Sequence, residues 1–255
     1  MYGQAMTRYV SLLICILLAA CASLPNLPAF SFAPTTNTQA KELAHADSLR
    51  LKHACVEAIP LYQALIRDQS QTSISALEGK GLCEMELGKM ATAVQSLHTV
   101  IAHDALRWRA LNAMGVMQAL AGHPVAANEY YQMALDAGPP ARYAILNNQG
   151  LTYALANKLP LAIRALTQAS QEATAEAKPR VDLNLSLALG LAKRFKEAEQ
   201  VARPHLSEAA LHHNMAQFAL LANDTALAKK HLSQALSASS QPYPKASQTL
   251  HALED

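Results

Sequence analysis

The chain is 255 residues long, 51% hydrophobic but only 5% aromatic, and carries a formal net charge of +2 at pH 7. Its apolar content is mostly Ala and Leu, which suits helices packed through small residues and argues against a sheet-rich fold. So small a net charge, with no Lys/Arg cluster interleaved with aromatics, gives no ground for a nucleic-acid surface.

At the N-terminus, Arg8 precedes the apolar run Val10–Leu18, and Ala19, Ala20 and Cys21 follow. The run falls short of the roughly 20 residues that span a bilayer, and it has the form of a secretory signal over residues 1–20. Leu18-Ala19-Ala20-Cys21 has the pattern of a bacterial lipobox, whose cysteine thiol is acylated and becomes the first residue of the mature chain. Cys21 is therefore the expected lipidation site. Position 22 is Ala rather than Asp, so the usual inner-membrane retention signal is missing. The expected location is the periplasmic face of the outer membrane. Residues 21–38 hold Pro25, Pro28 and Pro34 among Ser, Thr and Asn and read as a flexible tether.

From 39 to 242 a ladder of small and bulky residues recurs. Ala58, Ala93, Ala127, Ala162, Ala198 and Ala228 follow one another at steps of 35, 34, 35, 36 and 30. Four residues after each stands Tyr62, Leu97, Tyr131, Leu166, Ala202 or Leu232, and three further on Leu65, Val100, Ala134, Ala169, His205 or Ala235. Small residues also recur in the preceding helices at Ala46, Gly81, Gly115, Gly150, Ser186 and Ala216. Two antiparallel helices approach closely only where one of them is small, so the ladder marks stacked helix pairs. The offsets are those of the tetratricopeptide repeat, a helix–turn–helix unit of ~34 residues. The predicted fold is an all-α, right-handed solenoid of about six repeats, shortened near Pro204. Residues 243–255 are left as a tail or capping helix.

In such an array the first helices line the concave face. On the frame starting at Trp108 the inward positions include Arg109, Asn112 and Val116; on the next they include Asn147 and Leu151. Asn both donates and accepts and can hold a peptide backbone, while Val and Leu can seat side chains. These five are the candidate partner contacts. The blander reading, favoured for Asn148, Asn184 and Asn214, is an asparagine common in this motif, where it bridges helix turns.

Cys15 leaves with the signal and Cys21 takes the lipid, so Cys55 and Cys83 remain. They fall where a second helix starts and the next first helix ends. They either form a disulfide or stay as two buried small hydrophobes. No phosphate loop, nucleophile elbow or zinc helix is present. His212 and His213 are adjacent and diverge by about 100° on a helix; Glu84, Glu86, Asp182 and Glu197 show no pairing suited to acid–base work. The sequence therefore predicts a protein-binding role without catalysis, cofactor, metal, nucleic acid or small-molecule substrate.

The lipobox and tether, with Ala110-Leu111-Asn112-Ala113-Met114-Gly115-Val116 and Asn147-Asn148-Gln149-Gly150-Leu151, resemble the TadD lipoproteins of tight-adherence (Flp) pilus systems. The runs Asn184–Ala192 and Phe195–Arg203 and the short link through Pro204 extend the resemblance over nearly all of the mature chain. Gln149, where Leu is expected, and the polar stretch Gln171–Pro179 depart from it. The resemblance implies a pilotin-like assembly factor for an outer-membrane secretin or its neighbours. The competing reading is a repeat lipoprotein that docks on a cell-wall synthase or the barrel-insertion machinery.

Overall fold

A computed structural model describes residues 37–67, 70–240 and 244–254. The signal, Cys21 and the tether up to residue 36 lie outside the described residues. Those described form thirteen α-helices and no strand. Six helix pairs follow in chain order: α1 Asn37–Leu51 and α2 Cys55–Leu65; α3 Gln71–Glu86 and α4 Met90–His103; α5 Trp108–Leu120 and α6 Pro124–Asp136; α7 Arg142–Leu155 and α8 Leu159–Glu172; α9 Lys178–Leu191 and α10 Phe195–Ala202; α11 Glu208–Leu221 and α12 Thr225–Ala238. A last helix, α13, runs Pro244–Glu254. The chain divides into two compact units at Thr152–Tyr153, within α7.

The ladder of small and bulky residues is the core. All six frame alanines are fully buried, as are Tyr62, Leu97, Tyr131, Leu166, Ala202 and Leu232. In the first unit these residues form two successive clusters. One runs from Ala46 through Tyr62 to Cys83, and the next from Ile74 through Leu97 to Met117. Where Gly115 faces Tyr131, an added Cβ would lie 2.5 Å from the ring, so the small residue sets how closely α5 and α6 approach. In the second unit Ala216, Leu232, Ala235 and Ala246 pack together, and Leu250 and Leu253 of α13 close that end. The shortened repeat has a local cause. Pro204 cannot continue a helix interior, α10 stops at Ala202, and a 3₁₀ turn over Arg203–His205 replaces its last turn.

Each turn inside a repeat is built the same way. His53, Gly88, Gly122, Asn157, Lys193 and Asn223 all have φ between 55° and 80°, and each lies five positions before its repeat's buried alanine. The following amide donates back to the first helix, as in Lys89 N to Glu84 O (2.8 Å) and Arg194 N to Leu189 O (2.9 Å). This is the Schellman closure of a helix C-terminus, which suits Gly because a Cβ is strained in the left-handed region. Only two of the six positions are Gly. Lys193→Gly should relieve that strain and raise the stability of the second unit by about 1 kcal/mol, read from guanidinium unfolding. Lys196→Gly, at an exposed position in the first turn of α10, should lower it instead.

Candidate functional site

The first helices carry the predicted contacts, and the structure sorts them. Arg109 is half-buried, with its guanidinium carbon 4.6 Å from the centre of the Trp108 ring, itself half-exposed. Trp and Arg are the residue types most often dominant in protein interfaces, and here a cation–π contact pre-orients them. Asn112 and Asn147 are nearly fully buried, and Val116 and Leu151 expose no surface. Direct contact by these four requires their face of the first helices to be uncovered.

The buried asparagines form a relay between repeats. Asn148 Nδ2 donates to Asn112 Oδ1 at 3.1 Å, one repeat back, and Asn147 Nδ2 reaches Asn148 Oδ1 at 3.5 Å. The Asn148 carbonyl accepts from Thr152 Oγ1 (2.8 Å), which lies 3.2 Å from the Tyr131 hydroxyl. Gln149, the departure from the family string, donates to Asn128 Oδ1 of α6 at 2.7 Å. Buried polar groups are costly unless bonded, and this relay meets that need while fixing the spacing of α5, α6 and α7.

A second clasp was not legible in the sequence. Glu78 of α3 accepts from the Ala110 amide in the first turn of α5 and from Arg107 Nη1, both at 3.3 Å. Arg107 also donates to Asp104 (3.0 Å) and Ser75 (3.2 Å). A carboxylate at a helix N-terminus meets both its free amides and its dipole. The four acidic residues weighed in the sequence are likewise committed to neighbours. Glu84 takes Lys80 (2.6 Å) and Ser96 (2.8 Å), Glu86 lies 3.0 Å from His53, and Glu197 takes Arg194 at 2.6–2.7 Å. Asp182 accepts from Ser170 and Lys178 and pairs with His205 at 2.8 Å. Among the described residues no cluster of three His, Cys, Asp or Glu could hold a metal, and no helix is long and apolar enough to cross a membrane.

Cys55 and Cys83 are joined by a disulfide, with Cα atoms 5.1 Å apart. It links the start of α2 to the end of α3 and so ties the first repeat to the second. Both cysteines are buried within the Ala46–Tyr62–Cys83 cluster.

No family pattern and no characterised protein matches the sequence. Solved structures do match in fold. PilW, a type IV pilus biogenesis factor, superposes with a TM-score of 0.68 at 17% identity, over 85% of this chain and 100% of its own. PilF of Pseudomonas aeruginosa gives 0.64 at 16% identity, over 84% and 96%. The Cut9–Hcn1 complex of the APC/C gives 0.66 at 17% identity over 99% of this chain, which spans only 47% of the matched chain. A tetratricopeptide repeat protein from Parabacteroides merdae matches over 99% of the chain with a TM-score of 0.57. At these identities the likeness is one of fold. The chain is an all-α tetratricopeptide-repeat solenoid.

Proposed function

We propose that this protein is a lipid-anchored, non-catalytic scaffold on the periplasmic face of the outer membrane. It would assist assembly of a tight-adherence (Flp) pilus secretion apparatus by binding a secretin or another assembly component. The observation that supports the reading is the buried six-repeat ladder, the core of a fold suited to holding a partner, together with the pilus-biogenesis proteins among its fold neighbours. The Cys55–Cys83 bond supports an oxidising compartment such as the periplasm. Anchoring follows from the lipobox, since acyl chains on Cys21 replace a spanning helix. The half-exposed Trp108–Arg109 pair is the first contact we assign to the partner.

Affinity capture of the detergent-solubilised full chain, with mass spectrometry of co-purifying proteins, tests the role. A secretin or pilus-assembly protein is expected, and it should be lost with Arg109→Ala and Trp108→Ala together. Recovery of a wall synthase or the barrel-insertion machinery instead would sink the pilus assignment and leave the fold standing. Cys21→Ser should leave the helical content unchanged while the protein and its client leave the outer-membrane fraction; retention of the variant there would count against lipidation.

A further inference from the structure

The second unit ends in a repeat whose two helices are pinned by a pair of imidazoles. His212 Nδ1 on α11 lies 3.2 Å from His231 Nδ1 on α12, with ring centres 5.3 Å apart. His231 is nearly fully buried and His212 mostly so. A hydrogen bond between two Nδ1 atoms requires one ring to donate and the other to accept. Once the pair carries one added proton, the surroundings settle which. His212 Nε2 lies 3.7 Å from Glu208 Oε2, so the charge is best placed on His212, which then points Nε2–H toward that carboxylate and donates through Nδ1 as well. His231 is then the acceptor.

We infer that this pair makes the C-terminal repeat a proton-sensitive end, closed while His231 Nδ1 accepts from His212 and opened once that nitrogen is itself protonated. One added proton, on His212, strengthens the contact. A second has only His231 Nδ1 to go to, where it removes the lone pair that accepts the bond and sets N–H against N–H and charge against charge. Burial first, and the neighbouring His212 second, hold the His231 imidazole below its ordinary value. Glu199 of α10 draws a proton on and Lys230 of α12 repels it. Glu199 and Glu208 are both engaged by Arg203, and Asp182 of α9 is committed to His205, Ser170 and Lys178.

The sign follows from linkage. Opening frees His231 to titrate at its ordinary value of 6.5, so below that pH the opened repeat binds a proton that the closed one refuses. Closure is complete above that value and is lost as pH falls toward the depressed one. A terminal repeat has one stacking neighbour and opens without the rest of the array.

Hydrogen exchange of the full chain between pH 7.5 and 5, corrected for intrinsic rates, tests this. Exchange across α11–α13 should rise about tenfold per pH unit below 6.5, the slope for one proton taken up on opening, while α3–α6 stay level. His231→Gln keeps an acceptor for His212 but cannot be charged, and should abolish the rise. An equal rise in that variant, or a parallel rise in α3–α6, overturns the inference. Should the variant not fold, imidazole NMR of the unaltered chain decides: His231 titrating below His212 supports the pair, and two coincident titrations near 6.5 refute it.

Discussion

Removing the Cys55–Cys83 bond is expected to loosen the first repeat by about 3–4 kcal/mol, the chain-entropy value for a loop of 28 residues. The bond closes that loop between adjacent helix ends, and its Cα separation of 5.1 Å lies within the ordinary range. The effect should be local. In a stacked array each repeat meets only its neighbours, so α1 and α2 should lose exchange protection while the second unit keeps its own. Cys55→Ser with Cys83→Ser tests this by hydrogen exchange and by guanidinium unfolding. Both sulfurs are buried, so a small thiol reductant should cut the bond no faster than α1 and α2 open. Rapid reduction of the native protein, or a midpoint unchanged in the double serine variant, would show that packing alone holds this end.

The ladder could be read from the sequence because its spacing is forced. A small residue, a bulky one four later and another small one three later lie on one helix face, and Ala127, Tyr131 and Ala134 are buried for that reason. The turns were less legible although they keep the same frame. Gly122 announces a left-handed position, but Lys193 and His53 hold the same conformation, since the two amide bonds of the closure offset about 1–2 kcal/mol of strain. Apart from the Cys55–Cys83 pairing, which stood as one of two open readings, side-chain contacts between helices were not legible. Asn148 and Asn112 are 36 residues apart, Glu78 and Ala110 are 32, and His212 and His231 are 19. Frame position places such residues on facing helices, while rotamers and protonation decide whether they bond. The same gap lies between the predicted contact face and the burial of its side chains. Spacing put Asn112 and Asn147 on the inner side, but spacing carries no information on whether a side chain there is spent on its neighbours.

Gly115→Ala should destabilise the first unit by about 1–3 kcal/mol, the usual range for overpacking a tight core, against the ordinary expectation for this exchange. In an open helix the substitution gains nearly 1 kcal/mol from propensity. Here the new methyl would lie 2.5 Å from Tyr131 Cε1 and 2.7 Å from Cδ1, closer than carbon atoms can approach. The ring cannot easily give way. It is fully buried, and its hydroxyl is held by Thr152, whose own hydroxyl donates to the Asn148 carbonyl. Retreat of the ring therefore breaks a buried hydrogen bond worth about 1 kcal/mol as well as the packing. The array contains its own control, because the last repeat carries Ala216 and Leu232 at the equivalent positions and both are fully buried. Tyr131→Leu alone should cost stability through the lost ring and hydroxyl. Combined with Gly115→Ala it should recover much of that cost, since Leu leaves the space the methyl needs. A double-mutant cycle by guanidinium unfolding measures the coupling, with an interaction energy of at least ~1 kcal/mol expected for residues in contact. Strict additivity of the two substitutions would mean that the approach of α5 and α6 is set elsewhere than at this glycine.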